Sequence, residues 1–143
     1  MGTGDLPGVR AVARALLRWG TVVGVVLALA VLALRPVLPG WFTTDAEVAA
    51  TIAGLLWWVA ALQLPGAWVF VWDGLFLGAG RFGFLAAATA AASAAGIGVL
   101  VAVGPAGWGV GGVWAGVAVL IAGRLLTLVW GDRTGRLVPV SPG

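Results

Sequence analysis

The chain is 143 residues long, 62% hydrophobic and only 9% charged, with a net charge of +3. This excludes an ordinary soluble domain, in which about a quarter of the residues are charged, and the length allows one domain at most. There is no cysteine and no histidine, which removes disulfides, thiolate metal sites and the commonest general base.

Four apolar stretches predict an all-α integral membrane protein, since a spanning helix needs about 20 mostly apolar residues. The first helix is expected over about 12–34. Arg10, Arg14 and Arg18, spaced i, i+4, i+8, form one stripe at its start and read as an anchor whose side chains reach lipid phosphates. No small-residue cleavage site follows, so the stretch reads as a retained helix rather than a signal peptide. Arg35-Pro-Val-Leu-Pro-Gly40 then breaks the pattern with turn chemistry.

The second helix is expected over 48–78, longer than a bilayer requires. Pro65 and Gly66 lie in its middle. Proline removes the backbone bond to the Ala61 carbonyl and crowds the preceding turn, which predicts a kink there. Asp73 is the only acidic residue between Val48 and Gly80. A carboxylate at membrane depth costs roughly 2.5–3.5 kcal/mol on insertion scales, so it needs a partner or a task. Asp73, with Gln63 ten residues before it, is the candidate transport or ion site; a packing aspartate bonded to a neighbouring polar group is the equal alternative. At 100° per residue, Leu62, Gly66 and Gly80 fall within about 20° of Asp73 on one face. Gly74 and Gly78 make a GxxxG pair on an adjacent strip, expected to pack against another helix.

Gly78-Ala-Gly-Arg81 ends that helix, and the third is expected over 82–103. It is built largely of alanine, with Thr89 and Ser93 at i, i+4 as its one polar strip. After Gly104-Pro-Ala-Gly107 the fourth helix is expected over 109–130, with Gly112 and Gly116 as packing positions. Arg124 lies about two turns before its end. Its position favours snorkelling to the interface; the alternative is a pair with Asp73, both lying in the cytoplasmic half of antiparallel neighbours. Residues 131–143 read as a cytoplasmic tail.

The arginines set the orientation. With the first helix running outward, Arg10, Arg14, Arg18, Arg81, Arg133 and Arg136 lie inside and only Arg35 outside, a positive-inside bias that makes both termini cytoplasmic. Trp19, Trp41, Trp108 and Trp130 fall near the interfaces. The arginines form no dense patch for nucleic acid. No nucleophile–base pair, metal cluster or phosphate loop is visible, so neither an enzyme nor a cofactor is expected.

Several stretches resemble the C-terminal part of multidrug and toxic compound extrusion (MATE) transporters of the DinF-like branch. Phe42-Thr-Thr-Asp-Ala-Glu-Val48 is similar to the external loop after the third helix of a lobe. Gln63-Leu-Pro-Gly-Ala-Trp-Val-Phe-Val-Trp-Asp-Gly-Leu-Phe-Leu-Gly-Ala-Gly-Arg81 resembles the tenth helix and its exit, where an Asp-Gly pair precedes a Gly-Ala-Gly turn. Gly112-Val-Trp-Ala-Gly116 with Ile121-Ala-Gly-Arg-Leu-Leu-Thr127 resembles the last helix. The family's members have about twelve helices in two lobes and exchange protons or sodium for cationic and amphipathic compounds by alternating access. The resemblance puts Asp73 at the Asp-Gly position of the tenth helix and Arg124 at the arginine of the twelfth. It implies a fragment, helices nine to twelve, of a xenobiotic-exporting antiporter of a bacterial plasma membrane. The implied partners are the bilayer, H+ or Na+, cationic or amphipathic small molecules, and the missing lobe or another membrane subunit. A stand-alone four-helix protein with a binding or scaffolding role is the alternative.

Overall fold

The computed structural model describes residues 6–137, and every regular element in them is helical: α1 (Leu6–Leu34), α2 (Leu38–Phe42), α3 (Ala46–Gly78), α4 (Phe82–Ala106) and α5 (Gly109–Arg133). Four of these are long and apolar enough to cross a membrane. The chain is therefore an all-α, multi-pass membrane protein.

The helix ends follow local chemistry. α1 begins upstream of the expected residue 12, with Arg10 and Ala11, good helix formers, carrying the helix past the end of the apolar stretch that marks it in sequence. The Arg35–Gly40 break is only partly a turn. Pro39 sits in the first turn of α2, where a missing N–H costs nothing. α3 starts at a cap: Asp45 Oδ1 accepts from the backbone N–H of Glu47 at 2.8 Å and of Val48 at 3.1 Å. Glu47 adds negative charge to the same turn, where the helix dipole favours it. α3 continues as one helix through Pro65. Its exit is a Schellman motif: Gly80 N–H donates to the Leu77 carbonyl and Arg81 N–H to that of Phe76. Gly80 takes φ 70°, a backbone region that side chains disfavour. Gly107 closes α4 in the same way, with Trp108 N–H on the Val103 carbonyl. α5 continues to Arg133, three residues into the expected tail; residues 138–143 of that tail lie outside the described residues.

α3 and α5 occupy the centre. α1 packs on α3, and α4 packs on α5, with α3 against α5 joining the two pairs. The paired helices approach closely where one has no side chain. A Cβ on Gly24 would lie 3.0 Å from the Leu64 Cα, so α1 meets the backbone of α3. On the other side, a Cβ on Gly116 would lie 2.8 Å from the Leu100 Cδ2, and one on Gly96 would lie 3.2 Å from the Gly116 carbonyl. Gly112 and Gly116 are both buried, against Val103 and Leu100 of α4. Gly74 and Gly78 of α3 stand differently among the described residues. Both are exposed, and a Cβ on either would meet nothing within 4 Å. The GxxxG spacing permits close approach, but here no described helix takes up the position.

The buried cluster Trp72, Phe76, Leu85, Leu128 and Leu137 closes one end of the bundle. Phe76 and Leu128 are fully buried, and the Phe76 and Phe84 ring centroids are 4.9 Å apart. Elsewhere large apolar side chains point outward, Phe70 at 80% exposure and Leu126 and Val101 at 70%. In water such a surface would aggregate; against acyl chains it carries no cost.

Candidate functional site

Asp73 and Arg124 meet. Arg124 Nη2 lies 2.5 Å from Asp73 Oδ1, joining α5 to α3. Arg124 Nη1 donates to the Thr89 hydroxyl of α4. That hydroxyl in turn donates to the Leu85 carbonyl at 2.7 Å. One guanidinium thus ties three helices. The side chains of Arg124 and Asp73 are 11% and 24% exposed, so the pair is largely withdrawn from the surface but not sealed.

This corrects the preference for a snorkelling Arg124. The guanidinium turns inward because a carboxylate and a hydroxyl lie within its reach, and a paired charge is cheaper at this depth than an extended one. It also corrects the expected direction of the neighbours. Asp73 meets Arg124 and, farther along, Phe76 lies beside Gly131; the numbers rise together, so α3 and α5 run parallel. Thr89, read only as part of a polar strip, proves to be the third member. Ser93, one turn on, stands outside the network, so the strip alone did not identify which hydroxyl matters.

Gln63 and Gly66 stand elsewhere. They line a cavity of about 600 Å³ between α1, α3 and α5, with Phe70, Trp114, Val117 and Ile121 among its walls. Gln63 is its one amide, and its walls are otherwise apolar or aromatic. Asp73 does not line it. The two residues expected to form one site are therefore separated: the carboxylate is engaged by Arg124, and the amide faces the cavity. Of the expected face, Leu62 and Gly66 look into this cavity shared with α5, and Asp73 reaches α5 farther along. Gly80 falls past the helix end, in the turn, and leaves the face.

Two further ties were not anticipated. Trp68 Nε1 donates to the Thr21 hydroxyl at 2.9 Å, which donates to the Leu17 carbonyl at 2.8 Å, linking α3 to α1. Arg35 Nε donates to the Ala53 carbonyl at 2.8 Å, and its guanidinium stands 4.9 Å from the Trp57 ring centroid. A threonine in an apolar helix and a tryptophan away from the interface were the available signals.

Parallel central helices, an inward ion pair and an adjoining lipophilic cavity are the features of a polytopic membrane protein. A family model described as MatE matches residues 1–103. The chain belongs to the MatE family, whose members are transporters and not enzymes. Arg124 lies beyond the matched residues. The chain is 29% identical over 130 residues to "Protein DETOXIFICATION 45, chloroplastic" of Arabidopsis thaliana, covering 88% of this chain and 23% of that protein. It is 34% identical over 96 residues to "Protein DETOXIFICATION 44, chloroplastic" of the same plant, covering 66% of this chain and 18% of that protein. The chain thus spans about a fifth of the length of these relatives. No solved structure matches it.

Proposed function

We propose that the chain contributes the Asp73-bearing part of one lobe of a proton- or cation-coupled antiporter, of the DinF-like branch, that exports cationic or amphipathic compounds. The observation that carries this reading is the Asp73–Arg124–Thr89 network. It holds the one carboxylate within the membrane-spanning part of α3 at the junction of three helices. Such a group can exchange its arginine for a proton or a monovalent cation, and the helices it ties would then be released or regrouped. The cavity beside Gln63 supports the reading, because its walls suit the apolar body of an amphipathic compound. Pro65 and Gly66, beside the cavity wall and about two turns before the carboxylate, are the proposed bending point of α3.

Four helices supply one side of a cleft. The remaining helices of the transporter, on this polypeptide or on another membrane subunit, would supply the other, in line with relatives about four times longer. The arginine distribution supports an orientation with both termini cytoplasmic. The proposed membrane is a bacterial plasma membrane; the two relatives are named as chloroplastic, so fractionation of tagged protein tests that point first. The exposed Gly74 and Gly78 strip favours a second reading, in which the chain scaffolds a partner helix without itself transporting.

The test is gradient-driven efflux of a cationic dye from proteoliposomes holding the chain together with its complementary helices. Asp73→Asn is expected to weaken coupled efflux by about tenfold or more while dye binding persists. Unchanged coupled efflux in that variant would return Asp73 to a packing role.

A further inference from the structure

α3 and α5 end in the same way. In both, a glycine with positive φ (Gly80 at 70°, Gly135 at 72°) is followed by an arginine. In both, that arginine closes a Schellman motif, Arg81 N–H donating to the Phe76 carbonyl and Arg136 N–H to the Gly131 carbonyl, each at 2.9 Å. The two turns come together. Arg81 and Arg136 line one cavity of about 510 Å³ with Gly80, Gly83, Phe84 and Gly135. Three of those six residues are glycines, so much of the wall is bare backbone that a ligand can approach.

The site is held in place from beneath. Leu137, directly after Arg136, is buried in the cluster with Phe76 and Leu128. The Arg136 guanidinium stands 4.3 Å from the Trp130 ring centroid and 5.4 Å from that of Phe84. Phe84 is itself packed on Gly131, where a Cβ would come within 2.4 Å of its ring. Stacking fixes the plane of the guanidinium and leaves its N–H edge free for an anion. Among the described residues neither arginine has a carboxylate within 4 Å; Asp132, the nearest acid in sequence, forms no ion pair there. The first turn of α4, which has no side-chain cap, borders the same cavity.

We infer that this cavity binds the phosphodiester headgroup of an anionic lipid between Arg81 and Arg136. Two like charges facing one cavity call for an anion, and planar guanidinium groups match phosphate oxygens two at a time. The lipid source, rather than a soluble phosphate, follows from the surroundings. Phe82, next to Arg81 in the chain, is 63% exposed, and Trp130, against which the Arg136 guanidinium stands, is 51% exposed; aromatic side chains of this kind sit at headgroup level. The cavity stands apart from the Asp73 network, and the inference does not depend on transport.

The experiment compares three forms of the full chain: unaltered, Arg81→Gln/Arg136→Gln, and Arg10→Gln/Arg14→Gln, which removes equal charge from the same end of the bundle. Each is equilibrated in micelles carrying equal phosphatidylglycerol and phosphatidylcholine, and retained lipid is counted by native mass spectrometry. The unaltered chain is expected to retain phosphatidylglycerol preferentially, and the Arg10/Arg14 variant, which loses only the general attraction of exposed arginines for phosphates, to keep the larger part of that preference. The Arg81/Arg136 variant is expected to lose that preference by about fivefold for each arginine removed. Equal loss in both double variants would reduce the effect to general surface charge and overturn the proposal. So would equal retention of the two lipids by the unaltered chain, or full displacement of phosphatidylglycerol by excess inorganic phosphate, which would identify a soluble-anion site. Should the glutamine pair not fold, Arg81→Lys/Arg136→Lys takes its place. It keeps both charges but loses the bidentate fork, so a roughly twofold or larger fall in preference supports the site and unchanged preference overturns it.

Discussion

Gly74 and Gly78 of α3 and Gly112 and Gly116 of α5 share one spacing and have opposite surroundings. The α5 pair is buried against α4, where a Cβ on Gly116 would press on Leu100 at 2.8 Å. The α3 pair faces open space. A GxxxG spacing states how near a backbone can come, not what comes near. The difference arises from the neighbours: Leu100 and Val103 of α4 fill the space over the α5 glycines, whereas α3 turns its bulkier residues Trp72 and Phe76 toward the bundle and its glycines away.

The largest expected effect lies on the closed seam. Gly116→Leu should destabilise the bundle by about 2–3 kcal/mol, because the new side chain has no room between Leu100 and the Gly96 carbonyl. Thermal unfolding in detergent, followed by helical circular dichroism, reads this. A loss no greater than that of the same change at Gly74 would erase the distinction between the pairs.

A middle-sized effect separates polar ties from glycine seams. Asp73→Leu alone should cost about 2 kcal/mol, since it leaves Arg124 without its carboxylate. The double change Asp73→Leu/Arg124→Leu should recover most of that, as two apolar side chains replace two paired charges. If the double variant is as unstable as the sum of Asp73→Leu and Arg124→Leu, the two side chains are uncoupled and each holds the seam between α3 and α5 through other contacts.

The smallest effect is expected on the open strip. Gly74→Ala and Gly78→Ala should shift unfolding by less than about 0.5 kcal/mol or stabilise the helix slightly, because alanine is favoured over glycine by roughly 1 kcal/mol in helix interiors. Should either variant instead fall as far as Gly116→Leu, a partner already occupies the strip, and cross-linking from position 74 would identify it.

Much of the fold is legible in the residues. Hydropathy marks the four spans because each must be apolar for its whole length, and Gly80 and Gly107 mark their exits because the turns need positive φ. α2 is not legible, as five residues give no periodicity. The site is half legible. The cost of a buried carboxylate singles out Asp73, but a long arginine side chain at Arg124 can reach either the interface or the carboxylate. Only the adjacency of α3 and α5, which no local pattern encodes, decides between them. Thr89 is hidden for the same reason: its role depends on which helix faces α4. Gln63 and Asp73 lie on one helix yet serve different surroundings, because the cavity ends before the ion pair begins.

The ion pair also has an electrical consequence. A membrane voltage of about 100 mV does roughly 2.3 kcal/mol of work on each elementary charge carried across it. Asp73 and Arg124, bonded at 2.5 Å, sum to zero. While they stay bonded, α3 and α5 can shift together through the field without electrical work from these charges. Once parted, the two are pulled in opposite directions, so voltage acts on the open state and is silent on the closed one.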